Sequence, residues 1–266
     1  MSVMRTRPAG PAATTGEKGI DTNRRIAVVA GVLFITATLA DVISRVALVQ
    51  PILSSPVDFT KISANENQVL LGALLLLIGA AAAAGIAIAM YPVLRQHDEG
   101  LALGSVGFRL IEGALYVLIV VGLLVLVTVS RGAMEAGAPA SSAYEVPGAL
   151  LMAARDSLGE VAVLAFGLGA LMYYWVFYQT RLVPRWLSAW GLVAIALVMV
   201  SGVLVMLRLT EPMSTTQVVL ALPIAVQEMV LAVRLIAKGF DPIPAPRGKL
   251  APRQSRGSSA VASAWR

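Results

Sequence analysis

The sequence predicts an all-α polytopic membrane protein, a single bundle of six transmembrane helices. Three observations predict it. Charged residues make up 14% of the chain and hydrophobic ones 58%, where soluble domains carry about 25% charge; mean hydropathy is +0.79. Six apolar runs, near residues 25–49, 68–91, 101–130, 155–178, 186–208 and 217–237, each reach the roughly 20 residues that a spanning helix needs. The third run holds two opposite charges, Arg109 and Glu112, in its interior. A charge at that depth costs roughly 3 kcal/mol on insertion scales. Charges kept at such a cost need partners, so other helices must pack around this one.

Taken in order, residues 1–24 carry Pro8, Pro11 and basic side chains with no hydrophobic period. They are expected to form a disordered cytoplasmic tail. Arg24-Arg25 ahead of an apolar run invites a twin-arginine export reading, and Thr38-Leu39-Ala40 resembles a small-residue cleavage site. The run nevertheless continues to Val49 and five more follow, which favours a retained first helix. An even number of spans puts both termini on one side. That side holds 14 Lys and Arg, in the two tails and at Arg95, Arg181 and Arg185; the other holds 5, namely Arg45, Lys61, Arg131, Arg155 and Arg208. Positive-inside bias therefore places both termini in the cytoplasm of a multi-pass plasma-membrane protein.

Aromatic residues agree with that orientation. Tyr173-Tyr-Trp-Val-Phe-Tyr178 ends span four, and Trp186 and Trp190 open span five beyond the helix-breaking Pro184. The stretch 131–154, rich in Ala, Gly, Pro and Ser, is expected to be the longest connection and partly irregular. The membrane domain then covers residues 25–240, and residues 241–266, with four prolines and scattered arginines, form a second disordered cytoplasmic tail. Small residues recur in span two (Gly72, Gly79, Ala80 to Ala84, Gly85) and in span four (Ala165, Gly169). Such spacing lets helix backbones approach closely in lipid.

Candidate site residues are the polar ones inside the spans. Ser105, Arg109, Glu112 and Tyr116 follow i, i+4, i+7, i+11 and so line one helical face. Gln227 and Glu228 on span six lie at the same bilayer depth as Arg109, and with Arg109 and Glu112 they make the expected central site. Pro223, one turn before Gln227, removes a helical hydrogen bond there. A secondary cluster is expected toward the outer face, from Asp41 and Arg45 on span one with Asp156 and Glu160 on span four. Asn65-Glu66-Asn67-Gln68 at the mouth of span two is placed within reach of it. Arg109 is expected to be neutralised by Glu112, by Glu228, or by both. The motif Glu-x-x-Leu-x-Val occurs at Glu112 and at Glu228, which would fit two inverted three-span halves.

Composition narrows the function classes. The chain has no cysteine and a single histidine, His97, so thiolate metal sites, cysteine nucleophiles and histidine clusters fall away. No metal or cofactor is expected. The basic residues lie in tails and short loops, which excludes a nucleic-acid surface. Intramembrane ionisable groups often mark ligand, ion or proton paths, which makes a transport or small-ligand-binding protein the leading reading. One alternative is a structural or regulatory membrane protein whose buried charges are only locking pairs. Another is a lipid-modifying enzyme working through His97, Asp98 and Glu99, a triplet that also suits a solvated turn.

Several stretches carry a family resemblance: Ala64-Asn-Glu-Asn-Gln-Val-Leu-Leu-Gly72, Tyr91-Pro-Val-Leu-Arg-Gln-His-Asp-Glu-Gly-Leu-Ala-Leu-Gly104, Gly107-Phe-Arg-Leu-Ile-Glu112, Leu182-Val-Pro-Arg-Trp-Leu-Ser188, and Leu222-Pro-Ile-Ala-Val-Gln-Glu-Met-Val-Leu231 through Lys238-Gly-Phe240. In these, roughly residues 25 to 240 resemble the DUF4386 family of bacterial integral membrane proteins. The resemblance implies a multi-span membrane protein with no assigned biochemical role, and it supplies no catalytic or binding residues.

Overall fold

The computed structural model describes residues 15–53, 56–137, 140–212 and 214–242, with side chains described from Thr22 onward. The described residues fold into helices and connecting turns, without a strand. Helix α1 (Thr15–Val42) runs on as a π-helical stretch, Ile43–Val49, until Pro51 stops it. A short helix α2 (Phe59–Ala64) follows, and then α3 (Glu66–Leu94), α4 (Glu99–Ala136), α5 (Glu145–Thr180), α6 (Arg185–Met206) and α7 (Thr215–Lys238). All but α2 are long and apolar enough to cross a membrane. Each of the six presents exposed leucine or valine outward, such as Val29, Leu74, Leu118, Val161, Val193 and Val233. Lipid is the solvent for such a surface.

The boundaries differ from the sequence expectation in four places. Residues 15–24, assigned to the tail, are helical. Nothing from Ala12 to Gln50 breaks a helix there, since no proline occurs. The same stretch is tied down by Arg24, which donates to the carbonyls of Leu235 (3.0 Å) and Ile236 (2.7 Å) at the end of α7. Second, α2 interrupts the connection after span one; Asp58 caps it by accepting from the Lys61 backbone N–H at 3.0 Å. Third, the supposed irregular stretch 131–154 is mostly helix. α4 continues to Ala136, a 3-10 turn spans Ala140–Tyr144, and α5 starts at Glu145. Pro147 lies in the first turn of α5, where its missing N–H costs nothing. Ser130 on α4 donates to the Phe59 carbonyl at 2.7 Å, and Arg131 pairs with Glu66, which holds this end of α4 in place. Fourth, Asp241 belongs to the bundle: its N–H donates to Leu182 O at 2.8 Å and its carboxylate pairs with Arg234. Residues 1–14 and 243–266 lie outside the described residues.

Packing follows chain order. α1 packs on α3, α3 on α4, α4 on α5, α5 on α6 and α6 on α7, and α7 returns to α1. Six helices in such a ring leave a middle that side chains must fill. Two apolar clusters fill its ends. One, at the end that carries the N-terminus of α1 and the C-terminus of α7, includes Phe34, Met90, Tyr173, Tyr174, Phe177 and Leu235. The other includes Val49, Ile62, Leu76, Leu123, Leu126 and Met152. Between them lie the buried charged residues Arg109, Glu112 and Glu228.

Candidate functional site

The α4 stripe sets the centre. Arg109 is 2% exposed and Glu112 3%, and Arg109 Nη1 stands 2.8 Å from Glu112 Oε2, one turn along the same helix. The two atoms are in ion-pair contact without hydrogen-bond alignment. Arg109 Nε instead donates to Ala83 O of α3 at 3.2 Å. That carbonyl is reachable because the run Ala80 to Ala84 puts no bulk over it. On the other side, the guanidinium carbon lies 5.0 Å from the Phe166 ring centroid on α5, a cation–π contact. Gly169 makes this possible: a Cβ there would sit 3.1 Å from Arg109 Cγ and 3.2 Å from Phe108 Cβ. The small residues thus serve to wrap an arginine in backbone. Ser105, at the start of the stripe, is fully buried and its hydroxyl has no partner among the described residues.

Glu228 on α7 faces the same middle layer. Counting at 1.5 Å per residue, Arg109 lies about 15 Å from the start of α4 and Glu228 about 15 Å from the end of α7. Glu228 Oε2 accepts from Thr38 Oγ1 of α1 at 3.2 Å, and its other oxygen is buried without a partner. It makes no ion-pair contact with Arg109, whose ion-pair partner is Glu112. Of the expected neutralisers, Glu112 is the one in contact. Gln227 does not join the charge centre. Successive helical residues diverge by about 100°, and Gln227 turns toward the neighbouring helices. It accepts from Tyr174 OH of α5 and donates through Nε2 to Leu187 O of α6 at 3.1 Å. Tyr173, beside Tyr174, is fully buried and leaves its own hydroxyl unpartnered among the described residues.

The outer cluster comes together in part, and it is joined to the centre. Arg45 Nε is 2.6 Å from Asp41 Oδ1, and its guanidinium carbon lies 5.1 Å from the ring centroid of Tyr116, the last member of the α4 stripe. Thr38, Asp41 and Arg45, on one face of α1, therefore run alongside Glu228, Glu112 and Tyr116. Asp156 does not pair with Arg45; Arg155 Nη1 reaches it at 3.0 Å. Arg155 was missed because it sits at the edge of an apolar run, where a charge reads as an interface anchor. Glu160 makes no ion pair among the described residues. Together Ser44, Arg45, Arg155, Asp156, Glu160 and Glu211 line a cavity of about 300 Å³ that opens at the end away from the termini. Ser44 and Arg45 belong to the π-helical stretch, a distortion frequent at functional sites and invisible to hydropathy. Asn65 to Gln68 do not reach this cluster. Glu66 is taken by Arg131, Asn65 donates to Lys61 O and Gln68 to Leu48 O.

A family model described as a domain of unknown function, DUF4386, matches residues 29–239. The chain belongs to the DUF4386 family. No curated protein and no solved structure matches it. In this DUF4386 protein the whole polar file, from Thr38 to Glu228, lies within the matched residues. His97, Asp98 and Glu99 form the turn into α4, where Asp98 accepts from the Leu101 N–H at 2.9 Å as its N-cap. Cap formation accounts for the aspartate without chemistry. In this chain a partly open cavity lined by both signs of charge, the vestibule, lies beside a buried centre with two acids around one arginine.

Proposed function

We propose that this protein is a transport or small-ligand-binding membrane protein, with the vestibule as the ligand's entrance and the Arg109, Glu112 and Glu228 centre as its responsive interior. It would sit in the plasma membrane with both termini cytoplasmic. One observation carries this reading: the vestibule and the centre are not separate clusters but one polar file, linked where Arg45 lies against Tyr116. A volume of about 300 Å³ falls at the lower end of small-molecule sites. The locking-pair alternative meets a specific difficulty. Arg109–Glu112, Asp41–Arg45 and Arg155–Asp156 each pair within one helix, so these bridges fasten no helix to another. Fastening is done by Gln227, by Ser44 (to Gly72 O, 2.7 Å), by Arg24, by the Arg131–Glu66 pair between α4 and α3, and by Arg109 through the Ala83 carbonyl.

The test is a thermal-shift panel on the purified protein in nanodiscs, run with small amines, carboxylates and zwitterions. Binding to the folded state alone raises stability by about 2.7 kcal/mol at a hundredfold excess over Kd. Gly159 lines the cavity, with Arg45 Nη1 3.9 Å from where its Cβ would lie, so Gly159→Trp should fill the vestibule and abolish any shift. Compounds that stabilise wild type and the filled variant equally would refute the proposal.

A further inference from the structure

The centre holds more acid than base. One guanidinium, Arg109, faces two carboxylates, Glu112 and Glu228, all three buried. The other groups around them are few. From α1 come Thr38 and, further out, Asp41 with Arg45; from α4 Ser105 and Tyr116; from α5 Tyr173 and Tyr174; from α7 Gln227. α3 offers the Ala83 carbonyl, and α6 offers the Leu187 carbonyl and the buried serines Ser188 and Ser201. Arg45 is engaged by Asp41, and Arg234 by Asp241 near the other end of α7. No second cation among the described residues contacts Glu228. A buried, ionised carboxylate without a countercharge is among the most costly arrangements in a low-dielectric interior, and such a group neutralises instead. Glu112 Oε2 and Glu228 Oε1 both lack a hydrogen-bond donor, but Glu112 has Arg109 Nη1 in ion-pair contact at 2.8 Å, whereas no cation among the described residues contacts Glu228.

We propose that Glu228 is a proton-binding site, loaded and unloaded from the vestibule along the Asp41–Thr38 face of α1. The step adds H⁺ from a hydronium ion in the vestibule to a Glu228 carboxylate oxygen: the O–H bond of the hydronium breaks, water leaves, and the neutral acid forms. Thr38 suits both states. Its hydroxyl donates to the carboxylate at 3.2 Å and, after rotation, accepts from the acid. Unloading reverses the step. Linking this proton to ligand movement rests on the proposed transport or ligand-binding function; the proton site itself does not.

The test is infrared difference spectroscopy of the wild-type protein in nanodiscs, reading the C=O stretch of a protonated carboxylic acid. The band should be present in wild type, and it should move when glutamate, but not aspartate, is labelled with ¹³C. Glu228→Gln should remove it, because Glu112 then balances Arg109 alone. Thr38→Val should shift it, since the Thr38 hydroxyl donates to Glu228. Overturning results are a wild type with no such band, a band that survives Glu228→Gln, or a band that Thr38→Val leaves in place, which would put the proton on Glu112. A band that responds to Na⁺ concentration rather than to pH would replace the proton by a metal cation and equally overturn the proposal. Should Glu228→Gln not fold, the isotope label and Thr38→Val still decide. A failed ligand panel leaves this result untouched, and a missing band leaves the ligand panel untouched.

Discussion

Arg109→Leu should be the most damaging single change in the bundle. The structure shows why. The guanidinium is 2% exposed and makes three contacts, with Glu112 at 2.8 Å, with Ala83 O at 3.2 Å and with the Phe166 ring. Removing it leaves Glu112 as an uncompensated buried charge, and breaking one partner of a buried pair costs about 3–5 kcal/mol. At about 2–4 °C per kcal/mol for a chain of this size, the melting temperature should fall by roughly 6–20 °C. Arg109→Leu with Glu112→Leu removes both charges together and should recover most of the loss. Thermal unfolding in a single detergent, with all four members of the double-mutant cycle, measures the coupling. If Arg109→Leu alone melts with the wild type, or if the double variant is worse than the sum of the singles, the pair is not the buried ion pair argued for here.

Three further outcomes are expected. Gln227→Leu strands the Tyr174 hydroxyl and the Leu187 carbonyl in the interior and should cost about 1–3 kcal/mol per lost partner; a stability equal to wild type would show that its bonds do not fasten α7 to α5 and α6. Asp41→Asn and Arg45→Gln, in a partly exposed pair (36% and 26% side-chain exposure), should each cost no more than about 1 kcal/mol and be non-additive in a cycle, as read from thermal unfolding. Single cysteines at Ser2, Ser142 and Ser258, in a chain with no native cysteine, should react with a membrane-impermeant thiol reagent in intact cells only at 142; labelling at 2 or 258 would invert the topology.

The spans and the depth of their charges were legible because both are matters of composition and counting. Apolar runs of sufficient length give the helices, and counting residues from a helix end places Arg109 and Glu228 in one layer. Rotation was not legible in the same way. Gln227 and Glu228 are neighbours in the chain, yet one clasps α5 and α6 while the other meets Thr38, and only the packing around α7 separates them. Local chemistry outvoted composition in the stretch 131–154, where alanine and glycine suggested a loop but Arg131, Ser130 and a first-turn proline favour helix. Arg155 and the π-helical stretch were missed for a related reason: both lie at span ends, where hydropathy is insensitive to which way a side chain points. The link between the two polar clusters, Arg45 against Tyr116, joins residues far apart in sequence on different helices, and no spacing rule announces it.

The intrahelical pairing has a consequence for movement. An ion pair between two helices must break before they can slide, and in a dry interior that break leaves two bare charges. Here α4 carries Arg109 with Glu112, α1 carries Asp41 with Arg45, and α5 carries Arg155 with Asp156. A shift of the Thr38–Arg45 segment against α4 and α7, with Arg24 still fastening the other end of α1 to α7, therefore sacrifices the Thr38–Glu228 hydrogen bond and the Arg45–Tyr116 contact, while every one of those charges keeps its partner. An ordinary hydrogen bond contributes about 1 kcal/mol net, against about 3–5 for breaking a buried pair. The seam between this segment and α4 and α7 is thus one along which the vestibule can deepen toward Glu228 without separating an ion pair, while Ser44 holds the segment to Gly72 of α3. A disulfide between cysteines placed at Ala40 on α1 and Gly79 on α3, whose Cβ atoms would lie 3.6 Å apart, fixes this segment of α1 without touching Glu228, and under the proposed function it should abolish ligand movement until it is reduced.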